Sequence, residues 1–301
     1  MESPFRSFIR LSRPFFLLGG ALVYALGVGI ADYLGMPINW GLYLLGQAFV
    51  TTLQLSAQYL NEYFDAPADI ENPNRTPFTG GSGAVGPGKL SRNTVLLAAV
   101  TMFTILASLT VILIDQAPIS PLLVIILILA FSGAFFYSMP PIQLVRTGYG
   151  ELTTSVLVSF LVPAFAFLLQ TGDLHRLLMI STLPLTALHL AMMLVFEFPD
   201  YATDIKFEKK TLLVRIGWEH GMVLNNLLIL GAFLMLGVAA ILGVPSIVLP
   251  SFLLLPFGLF QIWQFRNIAS GGKPNWTMVG LTGVILFSGV AYMLTFAFWV
   301  R

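Results

Sequence analysis

The stretch Asn61-Glu62-Tyr63-Phe64-Asp65-Ala66-Pro67-Ala68-Asp69 stands at the end of an apolar run that begins near residue 40. Asn61, Asp65 and Asp69 are spaced i, i+4, i+8, which on a helix is one face. Gln54 and Gln58 carry that stripe back into the apolar run. Polar side chains inside a membrane span are expensive and face a cavity or a partner helix. Pro67 implies that the helix is distorted or ending there. A second stretch of the same kind, Glu197-Phe198-Pro199-Asp200-Tyr201-Ala202-Thr203-Asp204, ends another apolar run. Asp200 and Asp204 again share a face, with His189 and Glu197 on roughly the same stripe.

Around these two stretches the chain is almost wholly apolar. Of its 301 residues 57% are hydrophobic and 10% charged, and the mean hydropathy is +0.86. A soluble domain has roughly 25% charged residues. An ordinary soluble enzyme and a disordered chain are excluded. A net charge of +1 supplies no basic field, so no nucleic-acid partner is expected. With no cysteine there are no disulfides, thiolate zinc sites or cysteine nucleophiles.

A helix needs roughly 20 mainly apolar residues to cross the bilayer core. Nine such runs are read, near 15–34, 40–63, 94–114, 121–138, 152–170, 176–197, 223–242, 245–266 and 276–300. The reading is an all-α polytopic membrane protein, one transmembrane domain over 1–301. Polar loops at 64–93 and 198–222 carry the two acidic motifs. A polar loop after the second span and another after the sixth suggest a duplicated four-helix unit. The first span is too long for a cleavable signal peptide, and no A-x-A-like site follows it.

Basic residues set the orientation. Of the 15 Lys and Arg, only Arg176 and Arg301 lie on the side away from the N-terminus. The N-terminus and both long loops are therefore expected in the cytoplasm and the C-terminus outside. Of the 14 acidic residues, only Asp32, Asp115 and Asp173 face outward, so the chemistry belongs to the cytoplasmic face.

Four carboxylates on two helix ends repel unless divalent cations lie between them. An all-oxygen set suits magnesium, which keeps waters and binds phosphate oxygens beside a few carboxylates. Arg75, Lys209, Lys210, Arg146 and Arg13 are placed to complete a phosphate site, and carboxylate, metal and diphosphate would then form a clamp. Gly83 to Leu90 reads G-A-V-G-P-G-K-L, near a phosphate-binding loop but without Ser or Thr after Lys89 and without the strand–loop–helix setting. The glycines of Thr79-Gly80-Gly81-Ser82-Gly83 read instead as a mobile loop over the site. Tyr137, in Tyr137-Ser138-Met139-Pro140-Pro141, is either an interfacial residue at a helix stop or a ring facing a cation in the cavity. His189 alone reads as a helix–helix contact before it reads as a base.

These motifs resemble the UbiA superfamily of intramembrane prenyltransferases. That family has N-x-x-x-D-x-x-x-D after its second helix and D-x-x-x-D after its sixth, matched by Asn61/Asp65/Asp69 and Asp200/Asp204. The likeness runs over essentially the whole chain. It includes Arg13-Pro14, Asn74-Arg75-Thr76-Pro77, Tyr137-Ser138-x-Pro140-Pro141, Gly148-x-Gly150-Glu151 and Lys209-Lys210-Thr211-Leu212-x-Val214-Arg215-x-Gly217. The resemblance implies a nine-helix bundle and two Mg2+ ions, one on Asp65 and Asp69 with Asn61 in support, one on Asp200 and Asp204. It implies a polyprenyl diphosphate donor, held by Arg75 and Lys210 with Arg13, Arg146 and Lys209 near, and Tyr137 facing the allylic cation.

Asn61-x-Tyr63-Phe64-Asp65 and Thr203-Asp204 with Lys209-Lys210-Thr211 look most like the menaquinone branch, which prenylates 1,4-dihydroxy-2-naphthoate. That branch often has a basic residue at the position of Val145, where here the nearest is Arg146, and usually Arg where Pro199 stands. Other acceptors stay open: 4-hydroxybenzoate, homogentisate, a tetrapyrrole or a lipid glycerol phosphate. A cation-coupled transporter would need charges near the midplane of broken helices, not at helix ends on one face.

Overall fold

In the computed structural model, residues 3–300 are described. They form helices throughout, in the order α1 (Pro4–Leu11), α2 (Pro14–Tyr33), α3 (Trp40–Glu71), α4 (Arg92–Gln116), α5 (Pro121–Ser138), α6 (Gly150–Val156), α7 (Val162–Thr171), α8 (Arg176–Lys206), α9 (Leu212–Ile216), α10 (Trp218–Ile241), α11 (Pro245–Val248), α12 (Leu255–Ala269) and α13 (Trp276–Trp299). A π-helical turn, Leu157–Leu161, joins α6 to α7, and a 3-10 turn, Leu249–Leu254, joins α11 to α12. Helix starts follow the sequence. Asn39, Ser91, Ser120 and Asn275 each accept a backbone N–H of the first turn through their side chains.

Among the described residues, eight helical segments are long and apolar enough to cross a membrane: α2, α4, α5, α6 through α7, α8, α10, 246–269 and α13. The second of the nine expected runs, 40–63, is helical throughout but is not among the eight. Gln47, Gln54, Gln58 and Asn61 lie along α3, and the polar stripe that marks the site is what dilutes its apolar character.

Both motif helices extend beyond their expected ends. α3 runs past Pro67 to Glu71, and α8 past Pro199 to Lys206, so both acidic pairs ride on helix rather than on loop. At Pro67 the reason is visible. Proline has no N–H for the Tyr63 carbonyl four residues back. Arg92 supplies the missing donors, Nε at 3.2 Å and Nη2 at 3.0 Å, and its guanidinium lies over the Tyr63 ring.

α3 packs along α4, α8 along α10 and α13, and α2 against α7 and α13. Each motif helix is thus paired with the long helix that follows it. Two large apolar cores result, beside a small one around Leu11, Tyr59 and Leu60. One gathers Leu185, Leu188, Leu236, Val290 and Leu294, the other Tyr24, Phe49, Leu53, Phe165 and Leu168. The outer faces carry exposed Leu97, Val111, Leu234 and Ile241, a surface suited to hydrocarbon rather than water. A cavity of about 310 Å³ lies between the cores, walled by Phe49 and Phe165 from one and Met192, Phe196 and Phe287 from the other.

Candidate active site

The ends of α3 and α8 meet and brace each other. Asn72, just past α3, donates to Asp200 Oδ1 at 2.7 Å, and the Gly80 N–H donates to Asp200 Oδ2 at 3.1 Å. In return Lys209, just past α8, puts Nζ 2.8 Å from Asp65 Oδ2 and 4.0 Å from Asp204 Oδ1. Asn61 donates to the same Asp65 oxygen at 3.3 Å and accepts from Ser138 at 3.4 Å. At the rim Lys206 pairs with Glu71. Asn61, Asp65, Asp69, Asp200 and Asp204 are therefore brought together, as their spacing predicts.

The segment after α3 folds back over this cluster. Gly81, at φ +75, lies so close to the Asp69 carboxyl that any Cβ there would collide with it. Gly83 lies just as close to the Arg75 guanidinium. Ser82 is held from below by buried Glu62, which accepts from its N–H at 3.0 Å and from its hydroxyl. Glu62 also pairs with Arg13 at 3.1 Å. The five residues Thr79 to Gly83 thus cover the carboxylates, in the position expected of them.

Charge density follows from this packing. Burial drives the Asp69 carboxyl up to about 8, and the neighbouring Asp65 charge pushes the same way against Lys209 and Arg13. Burial alone would lower Lys209, but Asp65 and Asp204 outweigh it and hold its ammonium above the ordinary lysine range. Burial, then the charge of Arg10, pulls Arg75 down.

The basic residues differ in what they reach. Arg75 joins Glu62, Asp69, Asn72 and Lys89 around a polar pocket of about 220 Å³. Arg13 lines the larger chamber. Lys209 is buried in the cluster while Lys210 is exposed, its N–H bonded to the Arg146 carbonyl at 3.3 Å. Arg146 donates Nη2 to the Phe207 carbonyl at 2.6 Å, bracing the chain between α8 and α9. Lys89 likewise turns back on its own loop, to the Gly83 carbonyl at 2.8 Å, and one isolated bridge, Val85 to Leu90, stands where a nucleotide loop would need a strand.

Four residues of this site have roles that their spacing does not disclose. Glu62 is one residue off the acidic stripe, and only its contacts with Arg13 and Ser82 reveal it. Asn72 looks like a helix stop. Glu151 and Glu197, on α6 and α8, are buried, and Glu197 accepts from the Leu213 N–H at 2.9 Å.

The donor chemistry fits magnesium. Among the described residues no three His, Asp or Glu side chains converge on one point. Two pairs of carboxylates do face each other, with the Lys209 ammonium as the cation between Asp65 and Asp204. Magnesium takes one or two carboxylates and leaves other positions to water and phosphate.

Below the cluster the 310 Å³ chamber runs from Asn61 and Tyr137 down to Phe49, Ile126 and Phe165. Its walls are apolar except for a few groups, among them Gln54, Gln58, Thr154 and His189. Tyr137 lies where cluster and chamber join, with Thr154 on the same wall.

Comparison with known proteins gives the family and the fold. A sequence model of the UbiA prenyltransferase family matches residues 21–281. The chain is 22% identical over 215 residues to the 1,4-dihydroxy-2-naphthoate octaprenyltransferase of Bacillus subtilis (strain 168), covering 71% of this chain and 67% of that one. A UbiA homolog from Archaeoglobus fulgidus bound to GPP and Mg2+ superposes with a TM-score of 0.69 at 15% identity, covering 98% of this chain and 100% of the other. A digeranylgeranylglyceryl phosphate synthase superposes with a TM-score of 0.63 at 16% identity, covering 99% and 98%.

Proposed function

The chain belongs to the UbiA prenyltransferase family, a multi-pass membrane transferase, and on that premise we propose that it moves a polyprenyl group from its diphosphate to an aromatic acceptor, 1,4-dihydroxy-2-naphthoate. The observation that carries the reading is the junction of a buried carboxylate cluster with an apolar chamber at Asn61 and Tyr137. A diphosphate and a hydrocarbon tail are the two halves of one donor, and the site has a compartment for each. The naphthoate acceptor is supported by Asn61-x-Tyr63-Phe64-Asp65, by Lys209-Lys210-Thr211 and by the Bacillus relative.

Asp65 and Asp69, supported by Asn61, would hold one Mg2+, and Asp200 and Asp204 a second. Bound there, the metal supplies positive charge for the diphosphate oxygens as they become a leaving group. Arg75 and Arg13 neutralise the phosphate charge left over, and Lys209 moves from carboxylate to phosphate. Lys210 and Arg146 hold the segment that carries Lys209. The allylic C–O bond breaks, its electron pair leaving with the diphosphate, and the Tyr137 ring faces the allylic cation. Apolar walls keep water from quenching it. The electron-rich ring of the acceptor then forms the new C–C bond, and the carboxylate leaves as CO2, its bonding electrons restoring the aromatic ring. The basic residues around the site argue for a cytoplasmic mouth.

The test is the mass of the product. Purified protein in detergent receives Mg2+, a prenyl diphosphate and 1,4-dihydroxy-2-naphthoate, with Asp65→Asn as control. The expected product depends on Mg2+ and has lost the acceptor's carboxyl group. Diphosphate release with a product only on 4-hydroxybenzoate, homogentisate, a tetrapyrrole or a glycerol phosphate would replace the acceptor and leave the rest standing. No Mg2+-dependent release with any donor would overturn the reading.

A further inference from the structure

We propose that His189 reads a hydroxyl on the acceptor, through the lone pair on Nε2, and so orients the aromatic ring for attack; the inference rests on the acceptor being a hydroxylated aromatic. His189 is buried on α8. Its Nδ1 lies 3.0 Å from Ser155 Oγ, and Ser155 Oγ lies 2.7 Å from the Glu151 carbonyl oxygen. A carbonyl has no hydrogen to give, so the one hydroxyl hydrogen of Ser155 is committed to Glu151. Ser155 can then only accept from the imidazole, which fixes the ring hydrogen on Nδ1 and the lone pair on Nε2.

Among the described residues nothing bonds Nε2. The ring stands edge-on to Phe287, centroids 4.8 Å apart, and both side chains line the chamber. With Nδ1 turned to Ser155, the edge bearing Nε2 is left for the cavity. Its place in the chamber is near the reacting end. Ser155 follows Thr154 on α6. Thr154, Tyr137 and Asn61 line the same cavity.

A lone pair in an apolar wall is unfavourable unless a donor meets it. A prenyl tail has no donor and cannot satisfy it. An aromatic hydroxyl can, and it would be held at an atom whose hydrogen-bonding role does not vary. A site built around such a bond rejects an analogue that lacks the hydrogen.

The experiment compares 1,4-dihydroxy-2-naphthoate with its two monomethyl ethers as acceptors. Wild-type protein should prefer the diol to one of the ethers by at least about tenfold in kcat/KM. His189→Phe keeps a ring against Phe287 but removes the acceptor atom. It should bring that preference to within about twofold while the donor KM stays unchanged. His189→Gln, which restores an acceptor oxygen, should recover part of it. Ser155→Ala keeps the imidazole and frees Nδ1, and should raise the acceptor KM about threefold, again without moving the donor KM. If His189→Phe does not fold, Ser155→Ala carries the same comparison. A preference for the diol that survives the loss of Nε2, or a change confined to the donor KM, overturns the inference and leaves the prenyltransferase reading intact. Mg2+-dependent diphosphate release with no product on any hydroxylated aromatic overturns the acceptor reading and this inference together.

Discussion

The two acidic helix ends reach the same carboxylate density by unlike means. Asp65, on α3, is matched by a buried ammonium, Lys209, 2.8 Å away. Asp200, on α8, is matched by neutral donors, the Asn72 amide at 2.7 Å and the Gly80 N–H at 3.1 Å. In each case the partner comes from the chain trailing the other motif. Neither pair is complete on its own helix, so the site exists only when both halves of the bundle are docked. The difference also separates charge from shape: one end depends on a cation, the other on the path of a loop.

The largest effect expected is on turnover. Asp65→Asn or Asp204→Asn should reduce product formation at least about a thousandfold in a chain that still folds, because a carboxamide fills the space but binds magnesium poorly. Near-normal turnover in both variants would remove them from the metal sites. Chelation should abolish activity equally, and added Mg2+ should restore it.

Stability tests the comparison itself. Lys209→Met leaves buried carboxylates without their cation, at about 3 kcal/mol. Its thermal midpoint should fall, and Asp65→Asn in the same chain should recover part of the loss. If the double variant is no more stable than Lys209→Met, the charge argument fails for α3. Arg75→Ala should raise the donor KM about tenfold with little change in kcat, since it meets the diphosphate rather than the reacting carbon. A donor KM within error of wild type would take Arg75 out of the diphosphate site. The smallest effect belongs to the neutral brace. Asn72→Ala removes one hydrogen bond to a carboxylate, about 2 kcal/mol at most, and should slow turnover a few-fold with the metal requirement unaltered.

The sequence exposes the stripes and the apolar runs because both are periodic. Asn61, Asp65, Asp69, Asp200 and Asp204 announce themselves by spacing, and the helices by hydropathy and caps. Tertiary partners are not periodic. Lys209 and Lys210 are indistinguishable in a string, yet packing buries one between two aspartates and exposes the other. Arg146 reads as a candidate anion ligand, whereas its guanidinium meets the Phe207 carbonyl, a backbone atom that no residue pattern advertises. Glu62 sits beside the stripe and is legible only through Arg13 and Ser82, far away in the chain. Pro67 marks a lost backbone bond correctly, but the donor that makes good the loss lies on the next helix.

That donor has a consequence for biogenesis. α3 is both the least apolar of the long helices on the expected membrane path and the one whose last turns depend on Arg92 at the start of α4. A weakly apolar segment partitions poorly into a bilayer by itself. α3 should therefore enter the membrane with α4 as a helical hairpin, not as an independent stop. Chains released during synthesis just before residue 92 should leave the 40–71 segment exposed to a protease, and chains released after residue 116 should protect it. Equal protection at both lengths would show that α3 inserts unaided.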